Sequence, residues 1–313
     1  MCTVGQEDET VTFRQRLGLV WRLLRPFTLT ASIVPVLIGS SLAFGQGHFR
    51  TSLFFAFLIA SILIQSATNM FNEYFDHRRG LDTKEMVGIA GTIVHDGVSP
   101  KKVLAAAWTF ILIAVLLGVY ICAMSSWWIA LVGVLCLAVA YFYSGGPKPL
   151  AYTPFGEIAA SIAMGPVIVL LAYYIQESDI TTRAVMVSVP IGLLIGAILL
   201  GNNIRDMEQD RIGGRRTVPI LFGRERGRRL FAGVFILSYV LVLGLIATRE
   251  LTLWALLVLL TIPSAVYVVR LYYRFSEPKQ LHPAVKGTSQ LLFRFGALLF
   301  VAMLIGSFVP LNV

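Results

Sequence analysis

Apolar residues run along this chain in long blocks, and the polar ones gather in the gaps between them. A helix crossing the hydrocarbon core of a bilayer needs about 20 mostly apolar residues, and the chain divides at its polar gaps into about nine such pieces. They fall near residues 27–46, 52–72, 103–124, 126–144, 156–175, 184–204, 230–248, 251–270 and 291–310. The gap at Ser125 and Ser126 is short enough to make the third and fourth pieces a tight hairpin. Pro35, Pro166, Pro190 and Pro263 lie inside pieces, where a membrane helix tolerates a kink if neighbours satisfy the freed carbonyl. The pattern predicts an all-α integral membrane protein, with a segment at 1–26 ahead of one polytopic domain at 27–313.

Composition supports the pattern. The chain is 57% hydrophobic and only 14% charged, whereas soluble domains carry about 25% charged residues.

Charge adds an orientation, because short loops rich in Lys and Arg stay cytoplasmic. Arg14, Arg16, Arg22 and Arg25 precede the first piece, and Arg78, Arg79, Lys84, Lys101 and Lys102 follow the second. Lys148 follows the fourth, a run of arginines from Arg205 to Arg229 follows the sixth, and Arg270, Arg274, Lys279 and Lys286 follow the eighth. The other side receives only Arg50, Arg183 and Arg249. The N-terminus is therefore expected in the cytoplasm and the C-terminus outside. The formal excess of +9 is accounted for by this bias and by anionic headgroups, and no nucleic-acid partner is expected. Cys122 and Cys136 lie in apolar pieces as small packing residues, Cys2 lacks the apolar stretch of a lipidation signal, and no disulfide framework is expected.

The acids add chemistry. Glu73, Asp76, Asp82, Glu85, Asp96, Asp206, Glu208, Asp210 and Glu225 fall in two cytoplasmic loops or the helix ends feeding them. NEYFDHRRGLD, from Asn72 to Asp82, and NNIRDMEQD, from Asn202 to Asp210, each place Asn four residues before Asp, with another Asp beyond. Spacing of four stacks side chains on one helix face, so each motif raises a ridge of oxygens, and each runs into a Gly-containing basic segment. Taken singly these are ordinary helix-end charges; the duplication points to a shared task. Oxygen donors without His or Cys favour a hard cation such as Mg²⁺, which binds through a few carboxylates plus substrate phosphates. Two such ridges among Arg and Lys describe a diphosphate site at the mouth of an apolar bundle, suited to a donor with a polar head and an isoprenoid tail. Tyr74, Phe75, Tyr141 and Tyr143 are candidates to steady an allylic cation, or to serve in packing. Arg294, about one turn into the ninth piece, is expected to snorkel to the cytoplasmic interface.

RLLRPFTLTASIVPVLIG (22–39), the run from Asn72 to Val103, YSGGPKPLAYTPFGEI (143–158) and NNIRDMEQDRIGGRRTVPILFG (202–223) resemble the UbiA superfamily of intramembrane prenyltransferases. Within it they are most similar to the branch acting on 1,4-dihydroxy-2-naphthoate in menaquinone synthesis. The resemblance implies nine helices around a central cavity, a multi-pass protein of the bacterial plasma membrane, and its acidic motifs facing each other at the cytoplasmic mouth. It implies Mg²⁺-dependent transfer of a polyprenyl group from polyprenyl diphosphate to 1,4-dihydroxy-2-naphthoate, with carbon dioxide lost. Asn72, Asp76, Asp82, Asn202, Asp206 and Asp210 become metal ligands, with Asp76, Asp206 and Asp210 as the catalytic acids. Lys84, Lys148 and Arg215 become diphosphate contacts, and Arg25 a partner for the acceptor carboxylate, or a juxtamembrane anchor. Glu73 stands where the family usually has Asp, and its longer arm leaves it outside the metal shell. Which of Asn202 and Asn203 faces the metal stays open, with spacing favouring Asn202. The rivals are another aromatic acceptor, 4-hydroxybenzoate or homogentisate, and a cation-coupled transporter. Transporter ion sites lie near the midplane at broken helices, not at helix ends among arginines.

Overall fold

A computed structural model of the chain describes residues 13–84, 87–88 and 91–311; Cys2 and Glu85 lie outside them. Among the described residues every regular element is helical. Seven helices are long and apolar enough to cross a membrane, and two shorter apolar ones accompany them. An amphipathic helix not expected from the sequence, α1 (Phe13–Leu24), precedes them. Leu23 and Leu24 at its end join an apolar cluster with Ala67, Met70 and Phe71, and Arg22 pairs with Asp96 at 2.8 Å.

The spans follow as α2 (Thr30–Phe44), α3 (Thr51–Arg78), α4 (Pro100–Met124) and α5 (Ile129–Ser144). The fifth is composite: α6 (Gly156–Ile162), a π-turn at Ala163–Val167 and α7 (Ile168–Glu177). Next come α8 (Thr182–Arg205) and the short α9 (Met207–Ile212) and α10 (Val218–Phe222), then α11 (Arg224–Ala247). A 3₁₀ stretch at Leu253–Thr261 runs into α12 (Ile262–Arg274), and α13 (Pro278–Phe308) closes the chain. The two shorter apolar helices are α2 and α5.

The prolines separate into two kinds. Pro35 and Pro190 are carried inside α2 and α8. Pro166 sits in the π-turn, and Pro263 at the start of α12, where 3₁₀ gives way to α; these two mark changes of helix type. α3 runs six residues past the apolar block to Arg78, carrying the first acidic motif on helix. α13 begins well before the expected 291, so Arg294 lies about 24 Å from its start rather than one turn in. Its guanidinium donates to Ser264 Oγ on α12 at 3.1 Å, and the residue is exposed.

α2 and α8 are the inner staves, mostly buried and packed on each other. Glycines set the closest approaches. A side chain on Gly165 would strike the backbone of Gly192, and Ser161 Oγ donates to Gly192 O at 2.6 Å, so the fifth span is pressed onto α8. A side chain on Gly296 of α13 would likewise strike Val34 of α2. The spans α2, α3, α5, α6–α7 and α8 enclose a cavity of about 340 Å³.

Candidate functional site

The polar end of this cavity is built from two copies of one local design. On α3, Asn72 Nδ2 donates to Asp76 Oδ2 at 3.0 Å, as expected for side chains one turn apart. Four residues on, Gly80 takes φ +71°, a left-handed conformation that only glycine adopts without strain, and Leu81 N–H returns to Asp76 O at 2.9 Å. The turn folds the chain back so that Asp82 also lines the cavity.

The second copy begins at the end of α8. Asp206 interrupts the helix, yet its N–H still donates to Asn202 O at 2.9 Å, and Asp210 N–H donates to Asp206 O at 2.8 Å. The ladder of four therefore survives the break, and Asn202, Asp206 and Asp210 all line the cavity. Gly214 has φ +78°, and Arg215 N–H returns to Asp210 O at 2.9 Å, repeating the Gly80 turn. Here the returning residue is the basic Arg215, where the first copy has Leu81 followed by Asp82.

Arg215 joins the two halves. It donates to Asp76 Oδ2 at 2.8 Å and to Asp210 Oδ1 at 3.0 Å, with its guanidinium 5.2 Å from the ring centre of Tyr152. Burial alone would lower its pKa, but Asp76 and Asp210 outweigh that and raise it, so Arg215 stays charged. Among the described residues no three His, Cys, Asp or Glu side chains already form a metal cage.

The residues nonetheless fit a hard cation. Asp82 Oδ2 and Asp210 Oδ2 are buried with no hydrogen-bond partner. Burial first, and then facing Asp76, pushes the Asp82 carboxyl up to about 7; burial also pushes Asp210 up to about 7, with Asp206 and Asp76 adding to it against Arg215. Buried carboxylates that repel each other and keep unused oxygens are a cluster short of positive charge. The ligand atoms that Asn72, Asp76, Asp82, Asn202, Asp206 and Asp210 offer at this end are oxygens, the set that suits Mg²⁺.

Other side chains hold this cluster in place, and sequence reasoning missed most of them. Arg205, buried, grips both oxygens of Asp206 at 2.7 and 2.6 Å, and Gly88 lies so close to its guanidinium that a side chain there would collide with it. Glu73, only 1% exposed, accepts from Thr92 Oγ1 at 2.6 Å and Ile93 N–H at 2.9 Å, tying the 92–93 loop to α3. It is not among the residues that line the cavity. Glu157 accepts from Asn203 Nδ2 at 2.7 Å and Val218 N–H at 3.2 Å. Asn203 is thus engaged with α6, and Asn202 keeps its side chain free for the cavity. Arg79 bridges the carbonyls of Ser144 and Gly146 at 2.6 and 3.1 Å, holding the end of α5 to α3. A buried acid at the first turn of an apolar span was the available signal for Glu157. Arg205 was hidden among the other loop arginines.

The remaining candidates divide. Arg25 lines the cavity at φ +48°, an uncommon conformation for a non-glycine residue. Its NH1 donates weakly to Asn72 Oδ1 at 3.5 Å and its Nε has no partner; burial lowers its pKa against the pull of Glu73, Asp82 and Asp76. It is thus a cavity-facing cation. Lys84 and Lys148 are exposed and do not line the cavity. Of the four aromatics only Tyr143 lines it; Phe75 and Tyr141 pack with Phe71 and Trp108, and Tyr74 stacks edge-on against Phe75. Cys122 is a packing residue, but Cys136 faces the cavity.

Residues 32–289 match the model of the UbiA prenyltransferase family. The chain belongs to that family. A relative from Bacillus subtilis (strain 168), named 1,4-dihydroxy-2-naphthoate octaprenyltransferase, is 46% identical over 303 residues, 96% of this chain and 97% of the relative. Among solved structures, the apo form of a UbiA homolog from Aeropyrum pernix K1 superposes with a TM-score of 0.66 at 17% identity, covering 88% of this chain and 98% of that one. A UbiA homolog from Archaeoglobus fulgidus solved with GPP and Mg²⁺ gives 0.62 at 16% identity, covering 90% and 99%. These distant likenesses establish the fold: a multi-pass UbiA-type helical bundle. The duplicated Asn and Asp motifs and the bridging Arg215 line the cavity of this UbiA prenyltransferase at one end.

Proposed function

We propose that this prenyltransferase moves a polyprenyl group from polyprenyl diphosphate to 1,4-dihydroxy-2-naphthoate, with loss of carbon dioxide, in the synthesis of menaquinone. The observation that carries the acceptor is the near full-length similarity to the Bacillus subtilis relative of that name. The donor is supported by one cavity that is acidic and basic at its mouth and apolar along Leu171, Ile195 and Ile198 below it.

Asn72, Asp76, Asp82, Asn202, Asp206 and Asp210 would hold Mg²⁺, and Arg215 would turn from the acids to the diphosphate. Bound there, Mg²⁺ neutralises charge on the leaving diphosphate. The allylic carbon–oxygen bond breaks with its electron pair leaving on diphosphate, the carboxylate-bearing aromatic carbon of the acceptor supplies the pair for the new bond, and the ring–carboxylate bond then breaks, returning its pair to the ring as carbon dioxide leaves. Tyr143 offers the cavity's aromatic face to the developing allylic cation. Arg25 takes the acceptor carboxylate, since a cavity-facing guanidinium whose Nε has no partner is matched by a carboxylate in two-point contact. Lys84 and Lys148, exposed on loops beside the mouth, remain proposed outer contacts to the diphosphate. Residues 27–313 act as one unit in the bacterial plasma membrane, with the N-terminus and the acidic mouth cytoplasmic and the C-terminus outside.

The test is incubation of purified protein with Mg²⁺, a polyprenyl diphosphate and carboxyl-labelled 1,4-dihydroxy-2-naphthoate. Labelled carbon dioxide and prenylated lipid should appear in equal amounts, and a strong chelator should stop both until Mg²⁺ is restored. Product only with 4-hydroxybenzoate or homogentisate would overturn the acceptor. No product from any of them, with solute uptake into vesicles, would restore the transporter reading.

A further inference from the structure

Arg25 reaches the cavity from a strained piece of backbone. It follows Leu24, the last residue of α1, and takes φ +48°, a left-handed conformation in which Cβ crowds the following carbonyl. Pro26 comes next and narrows the choices of Arg25 further. The side chain does little to hold itself in place. Among the described residues its guanidinium makes one weak hydrogen bond, from NH1 to Asn72 Oδ1 at 3.5 Å, and Nε makes none. Where Arg25 points is therefore set from its backbone.

Asn69 of α3 grips that backbone from both flanks. Its Nδ2 donates to Leu24 O at 3.1 Å and to Thr28 Oγ1 at 2.9 Å, and Thr28 Oγ1 donates onward to Arg25 O at 2.9 Å. Leu24 O is one of the end carbonyls that α1 cannot satisfy within itself. The first bond thus ties the end of α1 to α3, and the second reaches Arg25 through the hydroxyl of Thr28. Thr28 N–H adds a bond to the same Arg25 carbonyl at 2.8 Å. Packing brings the partners together, because Leu23 and Leu24 join the apolar cluster of Ala67 and Met70, the residues on either side of Asn69 along α3. Asparagine suits the task, since its amide nitrogen carries two hydrogens on a short arm and both are used here. Asn69 is 8% exposed, yet lines the cavity together with Arg25, Thr28 and Asn72.

We infer that Asn69, acting through Leu24 and Thr28, is a positioning residue that holds the Arg25 guanidinium where the acceptor carboxylate binds, and so sets the preference for a carboxylated acceptor. A non-glycine residue keeps a positive φ only while its surroundings enforce it. Without the two bonds from Asn69, Arg25 relaxes to negative φ, its Cα–Cβ bond swings to a new direction, and the guanidinium leaves its place beside Asn72. The diphosphate end of the site is unaffected, because none of the atoms in the clamp belongs to the acidic motifs. This inference rests on the assignment of the acceptor carboxylate to Arg25 above.

Asn69→Leu keeps the volume and removes both donated bonds, and Thr28→Val removes the hydroxyl they share. The measurement is equilibrium binding to purified protein of two probes, 1-hydroxy-2-naphthoate and 1-hydroxy-2-naphthamide, which differ only in the charge of the group facing Arg25. In Asn69→Leu the Kd of the naphthoate should rise about tenfold, the scale of a lost hydrogen bond to a charged group, while that of the amide changes by less than about twofold. Thr28→Val should shift the naphthoate in the same direction and by less. In turnover, KM for 1,4-dihydroxy-2-naphthoate should rise with KM for the polyprenyl diphosphate unchanged. Unchanged binding of the amide shows that the cavity is intact. Equal weakening of both probes would make Asn69 a merely structural residue and overturn the inference. Arg25→Gln supplies the second arm. Combining it with Asn69→Leu should weaken naphthoate binding no further than Arg25→Gln alone, since the clamp acts only through that guanidinium, and additive losses overturn this. Loss of naphthoate binding in Arg25→Gln but not in Asn69→Leu overturns the clamp and leaves the acceptor assignment standing. Unchanged naphthoate binding in Arg25→Gln overturns the acceptor assignment, and the clamp with it.

Discussion

An Asp76→Ala variant should insert, fold and turn over no donor above background. Asp76 accepts from Asn72 and from Arg215, and it faces Asp210 across the bridging guanidinium. Removing it deletes a proposed metal ligand and also releases Arg215 from α3. Loss of groups that only support a ligand typically costs 10–100-fold, so loss of the ligand itself should exceed about 100-fold in kcat/KM. Asp76→Asn is the sharper variant, because it keeps the shape and one acceptor oxygen while losing the charge. It should be nearly as inactive as the alanine variant, with a thermal midpoint close to wild type. Turnover within about threefold of wild type in either variant would remove Asp76 from the proposed site. The equivalent changes at Asp206 should behave alike in activity and differently in stability.

That difference comes from Arg205. An Arg205→Ala variant should be destabilised by about 3–5 kcal/mol, the cost of breaking a buried ion pair and leaving one charge uncompensated. The pair is well buried, with the Arg205 side chain 6% exposed and that of Asp206 17%, and both carboxylate oxygens are engaged. Removing both partners should cost less than removing the arginine alone, since no orphaned carboxylate remains. Thermal unfolding of Arg205→Ala, Asp206→Ala and the double variant in one detergent measures this directly. A double variant less stable than Arg205→Ala would mean that the pair matters through packing rather than charge. Arg205→Lys should recover only part of the loss, because an ammonium cannot reproduce the two-point grip.

Both expectations turn on contacts invisible to spacing along the chain. Asn72 with Asp76, and Asn202 with Asp206 and Asp210, were legible because a helix converts separations of four into shared faces. The Gly80 and Gly214 turns were partly legible, as glycines following each motif. What Arg215 does was not legible, since it joins Asp76 to Asp210 across 139 positions of sequence from its first partner. Lys84 looked equivalent to it, one basic residue just past an acidic motif, yet ends exposed. The two basic residues differ because only Arg215 follows its glycine immediately and is folded back with it.

The sequence by itself determined the helical class, the membrane setting and the existence of two acidic ridges, because hydrophobic block length and helical periodicity are local properties. It also carried the family, through motifs in order along the chain. Tertiary structure alone decided which acids lie across from which bases, that Glu73 and Glu157 brace loops instead of lining the cavity, and that Arg294 meets Ser264 on α12. Those outcomes depend on how helices press together at Gly165, Gly192 and Gly296, where close approach on one face leaves another uncovered, and no periodicity within a single segment encodes which face that will be.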